Sequence, residues 1–203
     1  MTILAINPDN PQQRLIDKAA AVLRSGGIIC YPTDTIYGIG CDIYNQKAVN
    51  RVFQIKKRPK HKPFSFMCSS LKDVSAYCHL PNMAYKIMRK HLPGPYTFIL
   101  PAMKIVPKIL ITKQKTVGIR VPDNAICQLL VETLGNPILT SSASIDPDEE
   151  APAEAFQIEE LFGFQVDLVI DSGPVYPQPS TVISMIGEEY EILRVGKGSI
   201  DIF

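Results

Sequence analysis

Positive charge is concentrated in one short segment of this chain, residues 56–63, which reads Lys-Lys-Arg-Pro-Lys-His-Lys-Pro. The segment holds five Lys and Arg residues in a protein whose formal net charge is only +1. Arg presents a planar fork to phosphate or carboxylate, and Lys a mobile point charge, so the segment indicates an anion site. The alternative is a solvated loop after a helix, where cations are favourable without any ligand.

Small hydroxyl residues gather near the ends of three predicted strands. They are Thr33 and Thr35, then Thr140, Ser142 and Ser144, and finally Ser180 and Thr181. Hydroxyl and backbone N–H groups at such positions suit phosphate and carboxylate ligands. Turn and capping chemistry is the alternative for any one of these groups. Three of them together with a basic loop favour one shared pocket.

Two arginines lie in apolar, strand-like surroundings, Arg120 within residues 118–122 and Arg194 within residues 191–196. A semi-buried Arg requires an anionic partner. For Arg120 the sequence leaves two partners open, an acidic side chain of the protein or the carboxylate of a ligand.

The common motifs of hydrolases and nucleotide-binding loops are missing from the sequence. It contains no Gly-x-Ser-x-Gly elbow and no Gly-x-x-x-x-Gly-Lys-Ser/Thr loop, and Gly38-Ile39-Gly40 lacks the remaining glycine spacing of a dinucleotide-binding turn. Any nucleotide must therefore be held mainly by side-chain cations and hydroxyls.

Composition predicts one ordinary cytoplasmic domain spanning residues 1–203, of which 46% are hydrophobic and 20% charged. A sequence pI near 7.6 argues against broad attraction to nucleic acid or an anionic membrane. The sequence shows neither a signal peptide nor an apolar run long enough to span a bilayer. The five cysteines and three histidines lack zinc-like spacing, which predicts reduced core thiols and no metal held by the protein.

Hydrophobic periodicity and breaker residues predict an alternation of helices and strands. The helices are predicted over residues 9–23, 46–57, 82–91 and 123–134. The strands are predicted over residues 28–31, 64–68, 96–100, 116–121, 137–139, 166–170, 181–184 and 190–195. An acidic stretch over residues 146–160 is predicted to be a loop and an exposed helix. This alternation favours one α/β domain built on a mixed sheet.

Seven stretches of the chain resemble, in the same order, those of a known family, the YrdC/YciO-like proteins. They are residues 31–40, 56–63, 93–97, 118–122, 140–143, 179–182 and 193–196. The likeness runs from about residue 12 to residue 200 and is strongest to the threonylcarbamoyl-AMP synthases, which supply the activated group for t6A modification of tRNA. The fold that this resemblance implies is a twisted, mixed open sheet with flanking helices and a concave basic pocket.

The resemblance also implies a reaction and its substrates. L-Threonine, bicarbonate and ATP, the last with magnesium bound to its phosphates, would give threonylcarbamoyl-adenylate and pyrophosphate. The implied contacts with threonine come from Thr35, Arg120, Thr140 and Ser180. The implied contacts with ATP come from Lys56, Arg58, Lys62, Thr116, Ser142, Ser144 and Arg194. Lys56 and Arg58 would be the catalytic pair, and Arg120 would bind the substrate carboxylate through two parallel hydrogen bonds.

Two departures from the family pattern favour an alternative function. The chain reads Ser142-Ala143-Ser144 where active synthases commonly read Ser-x-Asn, and Met67 stands where some relatives have histidine. Residues 64–71 and 96–100 are closer to the YciO branch. The alternative is a non-catalytic protein that binds tRNA or double-stranded RNA on the same basic surface, whereas a synthase would pass its product to the t6A transferase machinery. The pair Lys56 and Arg58 favours the synthase.

Overall fold

The computed structural model describes residues 1–57, 64–111, 113–145, 150–187 and 189–201 of the 203-residue chain. Within these residues the α-helices are α1 (Gln13–Arg24), α2 (Gln46–Ile55), α3 (Leu71–Tyr77), α4 (Asn82–His91), α5 (Ala125–Leu134) and α6 (Ala155–Phe162). The strands are β1 (Thr2–Ala5), β2 (Ile29–Tyr31), β3 (Gly38–Asp42), β4 (Ser65–Met67), β5 (Tyr96–Pro101), β6 (Thr116–Arg120), β7 (Ile138–Ser142), β8 (Leu168–Asp171), β9 (Thr181–Ser184) and β10 (Glu191–Arg194). Among the helices of these described ranges, none has the length and apolar character that a bilayer crossing requires.

The strands of the described residues form one mixed sheet in the order β1-β8-β2-β3-β7-β4-β6-β5-β9-β10. Strands pair in parallel at β1–β8, β2–β8, β4–β6 and β5–β9, and antiparallel at the other five junctions. The edges of the sheet are β1 and β10, and helices pack on both faces. The predicted α/β fold with an open mixed sheet is therefore confirmed.

Each face of the sheet has its own hydrophobic core. On the first face, α1 and α5 pack over β8, β2 and one end of β4 and β7. Representative residues of that core are Ile16, Leu23, Leu130, Ile138 and Ile170. The core of the opposite face includes Val49, Val52, Phe66, Phe98 and Ile119. Where helices cover both faces, as at β2 and β8, the strands are nearly continuous apolar runs.

Helix α5 shows how the local sequence defines an element. The Asn124 side chain accepts a hydrogen bond of 3.0 Å from the backbone N–H of Cys127, which satisfies one of the free donors at the helix start. Ile126 and Leu130 recur at helical spacing and are fully buried. Gly135 ends the helix with a φ of 88°, a left-handed conformation that costs glycine little.

Two of the predicted helix starts are wrong. Helix α1 begins at Gln13 rather than at residue 9, because the Asn7 side chain accepts hydrogen bonds from the backbone N–H groups of Asp9 and Asn10 and holds a turn there. Helix α5 is capped by Asn124 rather than by residue 123. In both cases a neighbouring Asn accepts the local N–H groups in place of the residue chosen from the sequence.

Three elements were not predicted, namely β1, β3 and α3, and β7 is longer than predicted. The strand expected over residues 137–139 continues to Ser142, so Thr140 and Ser142 lie within β7 rather than after it. Helix α4 and strand β9 have the predicted bounds, and the other predicted strands agree within two residues. Helix α6 forms the helical part of the acidic stretch, while residues 146–149 lie outside the described residues.

Candidate functional site

The central part of the first sheet face carries small and hydroxyl side chains. Side chains alternate between faces along a strand, and paired residues share a face. The register pairs Gly40 with Thr140, Thr140 with Ser65, and Ser65 with Gly118, so these four form one row across β3, β7, β4 and β6. By the same alternation this face also carries Gly38, Thr116, Arg120 and Ser142. Such a surface leaves room above the sheet and offers hydrogen-bonding groups to a polar ligand.

Tyr31 crosses this surface, and two glycines allow it to do so. A Cβ atom at Gly38 would lie 2.7 Å from a ring carbon of Tyr31, and one at Gly40 would lie 2.3 Å from the carbonyl oxygen of Leu139. The Tyr31 hydroxyl donates a hydrogen bond of 2.6 Å to Oγ1 of Thr140. Burial raises the pKa of Tyr31 well above its usual value, so the phenol is a neutral donor. Thr140 is thus held by the protein itself.

Arg120 forms a buried ion pair at the end of β6. Its Nη2 donates to Oδ1 of Asp34 and to Oγ1 of Thr35, each at 2.9 Å. The side chains of Arg120 and Asp34 expose only 11% and 8% of their surface. Buried charges require close partners, because desolvation is costly. Of the two partners left open by the sequence, the structure supplies the acidic side chain.

The loop after β2 presents Asp34 through its own hydroxyl contacts. Oγ1 of Thr33 donates to the carbonyl oxygen of Ile36 at 2.6 Å and accepts from the backbone N–H of Thr35 at 3.0 Å. The two threonine hydroxyls are also 3.0 Å apart. These contacts fix a tight turn. The turn directs the Asp34 side chain toward Arg120 on β6, a strand that lies far along the chain.

Arg194 reaches the same region from β10. Its Nη2 and Nε donate to the carbonyl oxygen of Ser180 at 2.8 and 3.1 Å, and Nη2 also donates to Oγ of Ser180 at 3.3 Å. Oγ of Ser180 lies 2.8 Å from Oγ1 of Thr97 on β5. Burial and then the nearby Arg120 cation lower the pKa of Arg194 below its usual value. The backbone N–H of Gln178, two residues before Ser180, donates to the carbonyl oxygen of Thr35 at 3.5 Å, which brings this group next to the Arg120 group. We call the following residues the arginine cluster: Asp34, Thr35, Thr97, Arg120, Ser180 and Arg194.

The segment after β10 makes hydrogen bonds with residues in and next to the arginine cluster. The backbone N–H of Gly196 donates to Oγ1 of Thr181 at 2.9 Å, and that of Lys197 donates to the carbonyl oxygen of Pro179 at 2.8 Å. Nζ of Lys197 donates to the carbonyl oxygen of Asp34. A Cβ atom at Gly196 would lie 2.2 Å from the oxygen of Pro179, so only glycine allows this approach.

A second group of polar residues, the lysine site, consists of Lys56, Ser142 and Ser144. Lys56 is the C-cap of α2 and exposes 8% of its surface. Its Nζ donates to the carbonyl oxygens of Ser142, at 2.9 Å, and Ser144, and lies 3.5 Å from Oγ of Ser142. Oγ of Ser144 donates to Oγ of Ser142 at 3.2 Å. The ammonium group is therefore placed at the end of β7 by main-chain carbonyl oxygens.

A cavity of about 340 Å³ adjoins the lysine site and shares Ser144 with it. Residues 150–153 and the first turns of α6 line the rest, among them Gln157 and Glu160. This space is large enough for a group the size of a nucleobase, and its lining is partly polar.

The structure places seven of the nine predicted site residues that it describes in two groups, four in the arginine cluster and three in the lysine site. Of the predicted threonine contacts, Thr35, Arg120 and Ser180 belong to the arginine cluster, whereas Thr140 lies on the sheet surface bonded to Tyr31. The predicted ATP contacts are divided among the lysine site (Lys56, Ser142, Ser144), the arginine cluster (Arg194) and the start of β6 (Thr116). Arg58 and Lys62 lie outside the described residues.

Two residues of the arginine cluster, Asp34 and Thr97, were not predicted as site residues. Asp34 stands between two threonines directly after a buried strand, which is a signal that could have been combined with the need of Arg120 for an anion. Thr97 is a hydroxyl residue within a buried strand and exposes 7% of its surface. A buried hydroxyl usually has a hydrogen-bond partner, but the sequence does not identify that partner as Ser180.

The cysteines are free and buried, as predicted. Sγ of Cys127 donates to the carbonyl oxygen of Pro32 at 3.1 Å, next to the arginine cluster. Burial and then the Asp34 carboxylate raise the pKa of Cys127, while Arg120 lowers it, and the balance is strongly upward. In the part of the chain that the structure describes, no group of three or more His, Cys, Asp or Glu side chains could hold a metal ion.

Known proteins are similar to this chain in sequence and in fold. A family model described as Sua5_yciO_yrdC, telomere recombination, matches residues 21–196. The chain belongs to the Sua5/YciO/YrdC family. It is 40% identical over 199 residues to the uncharacterized protein YciO of Escherichia coli strain K12, covering 98% of this chain and 97% of that one. It is 33% identical over 195 residues to a protein of Methanocaldococcus jannaschii named putative threonylcarbamoyl-AMP synthase, covering 96% of this chain and 90% of that one.

Two solved structures of the Sua5/YciO/YrdC family resemble this one closely. The crystal structure of E. coli YciO has a TM-score of 0.96 and 40% identity and covers 100% of both chains. The crystal structure of Pyrococcus abyssi Sua5 complexed with L-threonine has a TM-score of 0.90 and 29% identity. That match covers 97% of this chain and 58% of the Sua5 chain. A family member with this fold therefore binds an amino acid.

Proposed function

We propose that this protein is an L-threonylcarbamoyladenylate synthase, a nucleotidyltransferase that makes threonylcarbamoyl-AMP from L-threonine, bicarbonate and ATP. The observation that carries the proposal is the arginine cluster, which brings the largely buried Arg120, the more exposed Arg194 and three hydroxyl side chains near one another. Its product would serve t6A modification of tRNA in the cytoplasm, through a transferase that accepts the adenylate.

The arginine cluster has the groups that a threonine molecule requires. A carboxylate prefers a guanidinium, and the threonine hydroxyl can exchange hydrogen bonds with Thr35 or Ser180. The L-threonine complex of Sua5, whose fold matches with a TM-score of 0.90, supports threonine as the ligand. Thr140 would complete the predicted set from the sheet surface below.

ATP would occupy the lysine site and the adjoining cavity. Lys56 and the two serines supply a cation and hydroxyl groups there, and the cavity of about 340 Å³ offers room for the base. Arg58, Lys62, Thr116 and Arg194 would add the remaining contacts with ATP, including the phosphates. Magnesium would enter bound to ATP, because it is held largely by substrate oxygens and water in such sites.

The chemistry explains why cations must line the path between the two sites. An oxygen of the carboxylate on the threonine nitrogen attacks the α-phosphorus of ATP and forms the new P–O bond. The bond from the α-phosphorus to the oxygen that bridges it to the β-phosphorus breaks, and pyrophosphate is released. Both reactants are anions, so positive groups reduce their repulsion and stabilise charge at the transition state. Positioning supplies much of the remaining acceleration without a protein nucleophile.

The proposal is tested by pyrophosphate release. The purified protein is incubated with ATP and magnesium while L-threonine and bicarbonate are added or omitted. We expect release only when both are present, and a nucleotide product whose mass equals that of threonylcarbamoyl-AMP. Release that does not depend on threonine, or no release at all, would contradict the proposal.

RNA binding is a second candidate, and two observations favour it. The chain is 40% identical to YciO but 33% identical to the named synthase of M. jannaschii, and Lys56 is bonded to carbonyl oxygens rather than directed at an open site. If RNA binding is the function, affinity for tRNA or double-stranded RNA falls steeply with salt concentration. Saturable binding of L-threonine would then be absent in calorimetry.

A further inference from the structure

The ion pair of the arginine cluster carries one spare donor and one spare acceptor. Among the side chains that the structure describes, Nε of Arg120 and Oδ2 of Asp34 are buried and make no hydrogen bond. The bond between Nη2 of Arg120 and Oδ1 of Asp34 joins the same two side chains at 2.9 Å. Buried polar atoms are nearly always paired, so a free donor beside a free acceptor indicates a ligand that pairs with both.

The charges around this pair determine what such a ligand can be. Arg120 and Arg194 lie in the cluster, and Lys197 donates to the carbonyl oxygen of Asp34. Of the described cations, Arg120 alone is hydrogen-bonded to the Asp34 carboxylate. Lys197 bonds to the main-chain carbonyl of that residue and Arg194 bonds to Ser180, so the region holds three cations and one carboxylate. An anionic group of the ligand therefore has several partners, whereas a cationic nitrogen has only Asp34.

We propose that Asp34 recognises the α-ammonium group of the amino-acid substrate through Oδ2. Nε of Arg120 binds the α-carboxylate of the same molecule. The proposal rests on the proposed function, because it takes L-threonine as the ligand, and it adds a specificity residue to that site. The two groups of the zwitterion are attached to a single carbon, and the donor and acceptor belong to one ion pair. The amino acid thus bridges atoms that the protein already holds together.

This arrangement makes binding depend on the charge of the nitrogen. A ligand without the ammonium group leaves Oδ2 of Asp34 buried and unpaired, and the site then rejects it. A ligand with the ammonium group satisfies both atoms at once. The hydroxyls of Thr35 and Ser180 cannot provide this discrimination, since a hydroxyl pairs with neutral and charged nitrogen alike.

The first test uses the unmodified protein and isothermal calorimetry. L-Threonine is compared with (R)-3-hydroxybutyrate, which lacks the amine, and with N-acetyl-L-threonine, which keeps the nitrogen but loses its charge. We expect both analogues to bind more weakly than L-threonine by about tenfold or more. Equal affinity for L-threonine and (R)-3-hydroxybutyrate would overturn the inference, as would no binding of L-threonine.

The second test uses Asp34→Asn. The amide can still accept the hydrogen bond from Arg120 through its oxygen, but it presents N–H groups where Oδ2 was. Affinity for L-threonine should fall about tenfold or more, while affinity for (R)-3-hydroxybutyrate should stay within about threefold of the unmodified protein. Asp17→Asn, at an exposed acid of α1, is the matched control and should change neither.

The outcomes separate this inference from the proposed function. If the preference for the amine survives Asp34→Asn, the inference fails although threonine binding and pyrophosphate release remain in the unmodified protein. If the preference disappears in the variant but the unmodified protein releases no pyrophosphate, the synthase proposal fails and the recognition of the ammonium group stands. Thermal melting of each variant shows whether the loss of binding reflects unfolding instead. In that case the comparison of ligands on the unmodified protein decides.

Discussion

The arginine cluster and the lysine site lie on the same sheet but are built differently. In the arginine cluster, side chains from five separate segments bond mainly to one another, including a guanidinium–carboxylate pair with 11% and 8% exposure. In the lysine site, one ammonium group at the end of α2 bonds to main-chain carbonyl oxygens at the end of β7. The first is set before any ligand arrives, whereas the second must exchange protein contacts for ligand contacts.

This difference has an energetic consequence for binding. A ligand that meets preorganised groups loses little free energy to rearrangement, so the proposed threonine subsite should be specific and rigid. A phosphate that takes Lys56 must replace hydrogen bonds to two carbonyl oxygens. Changes to the first region should therefore damage stability and recognition together, and changes to the second should act mainly on the nucleotide.

The largest expected effect comes from breaking the ion pair. Arg120→Ala leaves the Asp34 carboxylate buried without its partner, which should lower the free energy of unfolding by about 3–5 kcal/mol and abolish threonine binding. Urea denaturation and calorimetry measure the two effects.

An exposed ion pair supplies the matched control for Arg120→Ala. Arg51 and Asp167 lie 3.3 Å apart with 41% of each side chain exposed, so Arg51→Ala should cost less than about 1 kcal/mol. A similar loss of stability in the two variants would contradict the buried, preorganised character that we assign to the arginine cluster.

The next effect comes from the backbone behind the cluster. Gly196→Ala would place a Cβ atom 2.2 Å from the carbonyl oxygen of Pro179 and 2.6 Å from that of Ser180. Relief of this overlap must move Ser180, at a cost of about 1–3 kcal/mol, and should weaken threonine binding. Gly187→Ala is the control, because the nearest atom to its Cβ would be 3.6 Å away. If both variants bind threonine equally well, the role assigned to the segment after β10 is incorrect.

A smaller effect is expected at the lysine site. Lys56→Met removes the donor from two carbonyl oxygens and should lower the free energy of unfolding by about 1 kcal/mol. It should raise the KM for ATP while leaving the Kd for L-threonine unchanged, as measured by pyrophosphate release and calorimetry. Lys47→Met, on the exposed side of α2, controls for the loss of a positive charge. A parallel loss of threonine affinity would show that the two regions are not separable.

The smallest effect concerns pH and the thiol beside the arginine cluster. Burial raises the folded-state pKa of Cys127 above its ordinary value of 9.0, so the folded protein keeps this proton while the unfolded chain releases it. Because only the unfolded chain gives up this proton near pH 9, the contribution of Cys127 to stability is fully present well below pH 9 and is lost as the pH rises above that value. Between pH 8 and pH 9.5 the stability difference between unmodified protein and Cys127→Ala should shrink by about 1 kcal/mol. Urea denaturation at both pH values checks this, and a constant difference would contradict it.

Sequence reasoning located elements whose own residues define them. Helix α4 has the predicted bounds because prolines flank it at positions 81 and 93, and the predicted end of α5 is correct because Gly135 adopts a left-handed conformation there. Strand β3 was not predicted, because its two glycines suggest a turn in isolation. They lie in a strand because β3 pairs with β2 and β7, and the atoms of Tyr31 and Leu139 leave no room there for a Cβ. Contacts of this kind depend on the partner strand and not on local propensity.

The site shows the same limit. The hydroxyl groups near predicted strand ends and the two arginines in apolar surroundings could be chosen from the sequence, and several of them do meet. The partner of Arg120 could not be chosen, because Asp34 precedes it by 86 residues and reaches it only through the order of strands in the sheet. Thr97 was missed for the same reason, since its contact with Ser180 depends on the parallel pairing of β5 with β9.

The segment after β10 determines when the site can exist during synthesis. Gly196 donates to the hydroxyl of Thr181, and Lys197 donates to the carbonyl oxygens of Pro179 and Asp34. Thr181 donates to the carbonyl oxygen of Gly198, and Tyr96 donates to that of Ser199. A ribosome-bound chain from which these residues have not emerged has every strand of the sheet through β9 but lacks the contact of Lys197 with Asp34 and that of Gly196 with Thr181. Capture of the amino acid should therefore begin only after the segment through residue 199 has left the ribosome and can fold onto the sheet.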